Sequence, residues 1–159
     1  MTMKRTLVIL STLIVYFLST ATSCDDEPFV TIKPIESAIY NEISAYRQSN
    51  GLAGPFVQQF VMVQEAQIFS AIQSINTTGM DTVGIAERWE IIHDKIGGTN
   101  DMALLQRTTE SSASAIVSAW TTDSTFSQML LGDFSQCGVG VEYNASQEAF
   151  VTVMLMLVE

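Results

Sequence analysis

The last stretch of the chain constrains the fold most. Residues 149–158 carry no charge and a single hydroxyl, Thr152. A run so apolar suits a strand buried on both faces at the centre of a sheet. Before it comes a turn, Asn144-Ala145-Ser146, and before the turn Cys137, Val139, Val141 and Tyr143 alternate with Gly138, Gly140 and Glu142. That alternation marks a strand with one packed face. The chain therefore closes on an antiparallel hairpin, and the segments upstream must cover it. Gly138 and Gly140 are expected to permit close packing in the strand rather than approach of a ligand. Met154-Leu155-Met156-Leu157 is read as core rather than interface.

Upstream the period is helical. Ile35, Ile39, Ile43 and Tyr46 recur at spacings of four, four and three, a helical stripe. Pro34 pre-sets its first turn, and Asn50-Gly51 closes it with glycine at the left-handed exit. Residues 56–58 suit a short strand. A second helix is predicted over 60–75, with Phe60, Val63, Ala66, Phe69 and Ile72 as its apolar set and Met62 and Ile68 widening it. A helix apolar on so much of its circumference is expected to be buried between layers. Residues 76–84 form a polar loop. Ile85, Trp89, Ile92 and Ile96 mark a third helix ended by Gly97-Gly98, and Glu87-Arg88 offers an ion pair to orient it. The stretch 101–107 is a short strand or an irregular crossing. Thr108 or Thr109 caps a fourth helix with the stripe Ala113, Ile116, Val117 and Trp120. Residues 124–131 form a further helical turn stopped by Gly132. Trp89 and Trp120 are core anchors. Helices first and a hairpin last make the fold class α+β, with helices packed on a small, mainly antiparallel sheet.

The N-terminus carries an address. Lys4 and Arg5 precede an apolar run over 7–18, the layout of a secretory signal peptide. The run is too short to span a bilayer, which takes roughly 20 residues. Ala21-Thr22-Ser23 before Cys24 resembles a bacterial lipobox, which implies cleavage before Cys24 and its acylation. Asp25-Asp26-Glu27 is similar to the export signal of surface lipoproteins in Bacteroidetes-type bacteria. The expected domains are a signal peptide over 1–23, an acidic tether over 24–33 and one folded domain over 34–159. Removing 1–23 from the 159 residues leaves 136, enough for one domain. The leader takes two of the seven basic residues and none of the seventeen acids, so the mature charge is −12. Such acidity argues against nucleic acid as a partner and against attraction to an anionic membrane surface. The membrane partner is reached instead through lipid on Cys24, because two or more acyl chains hold stably where one does not. With Cys24 acylated, Cys137 has no partner for an internal disulfide. If Cys24 were not acylated, a Cys24–Cys137 bridge would be conceivable.

Two stretches, with the element order, resemble the CAP superfamily (cysteine-rich secretory proteins, antigen 5, pathogenesis-related 1) in its bacterial SCP-like form. Ile43 to Leu52 is similar to the opening helix of that family, which ends Asn-x-x-Arg-x-x-x-Gly-Leu; here it reads Arg47-Gln48-Ser49-Asn50-Gly51-Leu52. The second stretch runs from Trp120 to Tyr143. Its Phe134-Ser135-Gln136-Cys137-Gly138-Val139-Gly140 matches Phe-x-x-x-Gly-Val-Gly at the spacing of bacterial members. The resemblance covers 35–158 and implies a three-layer α-β-α sandwich. The polar residues between the two motifs depart from the pattern. Thr125, Phe126 and Gln128 stand where the histidine, arginine and asparagine of Gly-His-Arg-x-Asn would fall, and the last strand keeps Thr152 with Val153 in place of glutamine. The Phe-Ser-His loop of the family falls near Asn76-Thr77-Thr78, and its Gly-Glu-Asn motif near Ala103-Leu104-Leu105. A metal site takes about three or four converging donors, and neither position retains one. The sole histidine, His93, lies beside Asp94 outside those motifs and reads as a solvated helix-end residue. No catalytic residue, metal ligand or cofactor is assigned.

The sequence contains no Gly-x-Ser-x-Gly elbow, phosphate-binding glycine loop or Cys-x-x-Cys pair. Cys137 reads as a buried, inert thiol. Asn76-Thr77-Thr78 and Asn144-Ala145-Ser146 fit the N-glycosylation pattern, which carries little weight in a bacterium. Asp81-Thr82-Val83 resembles the O-glycosylation motif of Bacteroidetes, with Thr82 as acceptor. Three functions follow as expectations. The first is an envelope or cell-surface lipoprotein, exported and lipid-anchored to the outer membrane on its surface or periplasmic face, whose degenerate CAP-like domain is a non-catalytic module for a protein partner. The second is a carrier of an apolar ligand, lipid or fatty acid, in a cleft lined by Phe69, Leu104, Leu105 and Thr125. The third is a hydrolase with an atypical site, by analogy of fold alone.

Overall fold

The computed structural model describes residues 30–52, 54–76 and 79–158. The signal peptide, Cys24, the acidic run and most of the tether, with Thr77 and Thr78, lie outside the described residues. The elements in chain order are α1 (Pro34–Ser49), β1 (Val57–Gln58), α2 (Phe60–Ser74), α3 (Ile85–Ile96), β2 (Thr99–Thr108), α4 (Ala113–Thr122), α5 (Ser124–Leu130), β3 (Gln136–Tyr143) and β4 (Ala149–Leu157). Among the described residues five helices cover a four-stranded sheet of order β1-β3-β4-β2, the expected α+β sandwich. β4 is central, antiparallel to β2 on one side and to β3 on the other. The sheet is mixed because β1 runs parallel to β3.

Each face of the sheet has its own core. On one side Val139 and Val141 of β3, Val151, Val153 and Leu155 of β4 and Leu104 of β2 meet Ile39 and Ile43 of α1 and Ile116, Val117 and Trp120 of α4. On the other, Met154 and Met156 meet Met62 and Ala66 of α2 and Ile92 of α3. The second layer sits close. A Cβ built on Gly138 would lie 2.2 Å from the Met62 carbonyl carbon, and one on Gly140 would lie 2.2 Å from that of Ala66. β3 is therefore packed on both faces, its glycine face receiving the backbone of α2. Ser70 of α2 anchors there, its hydroxyl donating to Gly140 O at 3.0 Å and lying 2.8 Å from Thr152 Oγ1. That contact satisfies the one hydroxyl of β4.

Local chemistry explains the element ends. Pro34 opens α1, and the Lys33 N–H donates to Glu36 Oε2 at 2.7 Å. Gly51 closes that helix at φ +86°, and Leu52 N–H returns to Arg47 O at 3.0 Å. The cap of α4 is Ser112, whose hydroxyl accepts from Ala115 N–H at 3.3 Å, not Thr108 or Thr109. The reason is tertiary: β2 extends through Thr108, which pairs with Ala149. The burial expected of α2 is also corrected. Val63, Ala66 and Phe69 are fully buried, but Phe60 and Ile72 are 60% and 46% exposed, because α2 forms an outer layer and only one side of it meets the sheet.

Candidate functional site

Arg47 is the most specific residue of the first sequence motif. It ends the core stripe of α1 and is 4% exposed. Nη1 donates to Leu130 O at 2.6 Å and to Gly132 O at 2.9 Å, and Nη2 donates to Phe134 O at 2.9 Å. The guanidinium carbon lies 4.5 Å from the centroid of the Phe56 ring, a cation–π distance. The planar fork thus staples α1 to the turn between α5 and β3. Burial pushes the Arg47 pKa below its ordinary value. These contacts are to backbone carbonyls and a ring, so Arg47 holds the scaffold together.

The residues expected to line an apolar cleft do not gather. Leu104 and Leu105 are adjacent in β2, opposite Val153 and Thr152 of β4, so they point to opposite faces of the sheet. Leu104 is fully buried in the core beneath α1 and α4. Phe69 is fully buried in α2, across the sheet from Leu104. Thr125 is exposed in the first turn of α5. The interior at Leu104 is filled.

The ionisable side chains are mostly used in ties between elements. Glu36, fully buried, accepts from Val141 N–H at 3.0 Å and from Gln67 Nε2 at 2.7 Å. Glu65 pairs with Arg88 at 3.0 Å, so Arg88 orients α3 through α2 rather than through Glu87. His93 Nε2 lies 2.6 Å from Asp101 Oδ2, tying the last turn of α3 to β2, a partner eight residues away that local sequence did not indicate. Cys137 is fully buried, and burial pushes its thiol pKa well up; a protonated thiol is a poor nucleophile. Among the described residues no group of three or more His, Cys, Asp or Glu side chains is placed to hold a metal ion. Thr82 is exposed, in a loop fixed by Asp81. The Asp81 N–H donates to Gln73 Oε1 at 3.0 Å, and its carboxylate receives Gln73 Nε2 at 3.1 Å and Val83 N–H at 3.0 Å. Those hydrogen bonds hold Asp81 below the usual carboxylate range.

Among the described residues, concave surface occurs between α1 and α4 and at one end of the sheet. A groove of about 410 Å³ separates α1 from α4, lined by Glu42, Tyr46, Ser49, Ser114, Ser118 and Thr121 among others. Two of its hydroxyls are engaged locally: Tyr46 Oη lies 2.7 Å from Ser127 Oγ, and Thr121 Oγ1 donates to Ser118 O at 3.1 Å. Two smaller depressions at one end of the sheet share Asp133 and Phe134. One of about 330 Å³ includes Asn100 and Asp101, and one of about 310 Å³ includes Arg47 and Pro55.

The sequence matches no family model and no curated protein. Solved structures do resemble it. An outer surface protein from Borrelia burgdorferi superposes with a TM-score of 0.66 at 14% identity, over 82% of this chain and 97% of that one. A cysteine-rich secretory protein from Staphylococcus aureus superposes with a TM-score of 0.64 at 11% identity, over 82% of this chain but only 40% of the other. The fold is CAP-like.

In this CAP-like domain the two motifs that carried the resemblance are architectural. Arg47 secures the turn at 130–134, and Gly138 and Gly140 admit α2 onto the sheet. The stretch near the Gly-Glu-Asn position contributes Leu104 to a closed core. The arrangement offers hydrogen-bonding surface in the α1–α4 groove, with Glu42 as its one carboxylate among the described residues. Sequence reasoning missed that groove because its hydroxyls sit on the solvent sides of two helices far apart in the chain. The signal available was weak, a row of small polar residues at Ser114, Ser118 and Thr121 flanking the apolar stripe of α4.

Proposed function

We propose that the chain is an exported lipoprotein, held to the outer membrane through acylated Cys24, whose CAP-like domain is a non-catalytic binding module working through its outer surface. The observation that carries this reading is the position of Leu104. Where the resembled family keeps an acidic donor, this domain has a leucine sealed between α1, α4 and the sheet, while the groove between those helices opens to the exterior. Placement at the cell surface is supported by the kind of proteins that share the fold, an outer surface protein and a secreted one. The α1–α4 groove is the proposed contact site. Its acidic, hydroxyl-bearing lining suits a polar partner segment with hydrogen-bond donors or positive charge.

Three measurements test the reading. Mass spectrometry of the chain extracted from envelopes should show an N-terminal peptide that begins at Cys24 and carries acyl groups; an unmodified Cys24 contradicts the anchor. Capture of a protein partner from envelope fractions should be lost on substituting Ser118→Arg and Glu42→Lys, with circular dichroism unchanged. Turnover of peptide or cell-wall substrate by the pure protein would contradict the non-catalytic assignment if substituting one side chain abolished it.

A further inference from the structure

The outward side of α2 is unusual for an acidic protein. Phe60, Gln64, Ile68, Ala71 and Ile75 recur at spacings of four, four, three and four, with Ile72 beside them. Phe60 is 60% exposed, Ile68 36%, Ile72 46% and Ile75 81%. Val83, 76% exposed, follows in the loop that hydrogen-bonds back to Gln73. Along α2 the face carries no formal charge, although the chain has seventeen acids; the exposed carboxylate of Asp81 lies at its end, in the loop with Val83. The only ionisable residue in α2 is Glu65, which is 3% exposed and paired with Arg88 on the flank. An exposed apolar run from Ile68 to Ile75, with Phe60 two turns away across Gln64, marks a contact surface.

The tether indicates what covers it. The described chain enters the domain against α2 itself, where Gln67 Nε2 donates to Thr31 O at 3.0 Å. Thr31 is seven residues from Cys24, and seven extended residues reach about 25 Å at most. We propose that the outward face of α2 lies on the phospholipid bilayer that holds the acyl chains of Cys24, with Ile68, Ile72 and Ile75 entering the interface. The proposal rests on the lipoprotein reading above. Tethering makes the contact intramolecular, so a weak apolar contact suffices. The absence of charge on this face from Phe60 to Ile75 lowers the repulsion that the acidic remainder of the domain would meet at an anionic surface, with Asp81 at its edge the nearest exposed acid of that loop. A second copy of the chain is the poorer occupant, because a stable protein interface takes roughly 20–30 residues a side and this stripe offers a handful.

The test uses the chain extracted from membranes and reconstituted into phosphatidylcholine vesicles with and without brominated acyl chains. Ile75→Trp should show emission quenched by the brominated lipid and shifted to the blue. Ser118→Trp, on α4 across the sheet, should show neither change, and the native Trp89 and Trp120 supply the same background in both. Adding Ile68→Glu to Ile75→Trp should remove the quenching without changing circular dichroism. Intact mass separates the two readings. With the acyl mass present, an Ile75→Trp signal indifferent to bromine overturns the docking and leaves the anchor standing. With no acyl mass the anchor fails, and docking is read from vesicle sedimentation of the lipid-free chain. There Ile68→Glu should lower partitioning by roughly tenfold, and absence of binding overturns the proposal. A dimer in solution that Ile72→Glu dissociates also overturns it, making the face a self-association surface.

Discussion

Replacing Gly140 with alanine should destabilise the domain, although the usual expectation has the opposite sign. Glycine inside a strand costs roughly 0.5–1 kcal/mol relative to alanine through lost backbone entropy, and no left-handed φ defends Gly140. The packing reverses the balance. A Cβ at this position would lie 2.2 Å from the carbonyl carbon of Ala66, 2.3 Å from its oxygen and 2.4 Å from Gln67 N, where ordinary contact begins at 3.4 Å. All three atoms are backbone, so no side-chain rotation relieves the overlap. α2 must retreat by about 1 Å, which stretches the Ser70 contacts to Gly140 and Thr152 and loosens Met62, Ala66 and Phe69. Overpacking typically costs 1–3 kcal/mol when neighbours can adjust; with backbone on the receiving side, about 3 kcal/mol is expected. For a domain of this size that lowers Tm by roughly 10 °C. Urea unfolding followed by tryptophan fluorescence measures the first quantity, and a thermal scan by near-ultraviolet circular dichroism measures the second. Gly54→Ala is the control, since nothing lies within 4 Å of its Cβ; it should be neutral or gain a few tenths of a kcal/mol. If Gly140→Ala is as stable as the parent chain, α2 does not rest on the sheet in this way and the reasoning fails.

Arg47→Met should cost about 3–5 kcal/mol, because it strands the buried carbonyls of Leu130 and Phe134; Arg47→Lys should recover only part of that in the same urea titration. The Asp81 carboxylate, held low by Gln73 and Val83, contributes stability that is present above its unfolded pKa and is lost as pH falls through its lower folded value. A carboxyl NMR titration should therefore place Asp81 below ordinary aspartates, and Gln73→Ala should raise its midpoint. An unmoved midpoint refutes the assignment. Cys137, buried and protonated, should resist alkylation in a folded Cys24→Ser chain and react once urea unfolds it; rapid labelling under native conditions would contradict the described core.

Periodicity made much of the frame legible. The stripe Ile39–Ile43, the glycine exit at Gly51, the set Ala113, Ile116, Val117 and Trp120, and the terminal hairpin all emerge from spacing alone, because each element shows one side to a core. What escaped depends on partners distant in the chain. Apolar residues around α2 did not reveal which side was open, since hydrophobicity identifies a helix but not its neighbours. Arg88 chose Glu65 across helices over Glu87 beside it. Thr108 pairs in a strand instead of capping a helix. A two-residue strand such as β1 carries too little pattern to show its partner, so the parallel pair that makes the sheet mixed was invisible. For the candidate site, adjacency misled: Leu104 and Leu105 are neighbours in sequence and lie on opposite sides of the sheet. The groove between α1 and α4 exists only once those helices pack.

The central claim is that this CAP-like domain acts through its outer surface while its interior is sealed. The most direct measurement is in-envelope photocrosslinking from a photoreactive residue placed at Ser118 in the groove, compared with photo-leucine at Leu104, fully buried beneath α1 and α4. A discrete adduct with a protein partner is expected from Ser118 and none from Leu104. Adducts from Leu104 with a peptide, glycan or lipid, and none from Ser118, would show that the interior and not the groove is the working surface.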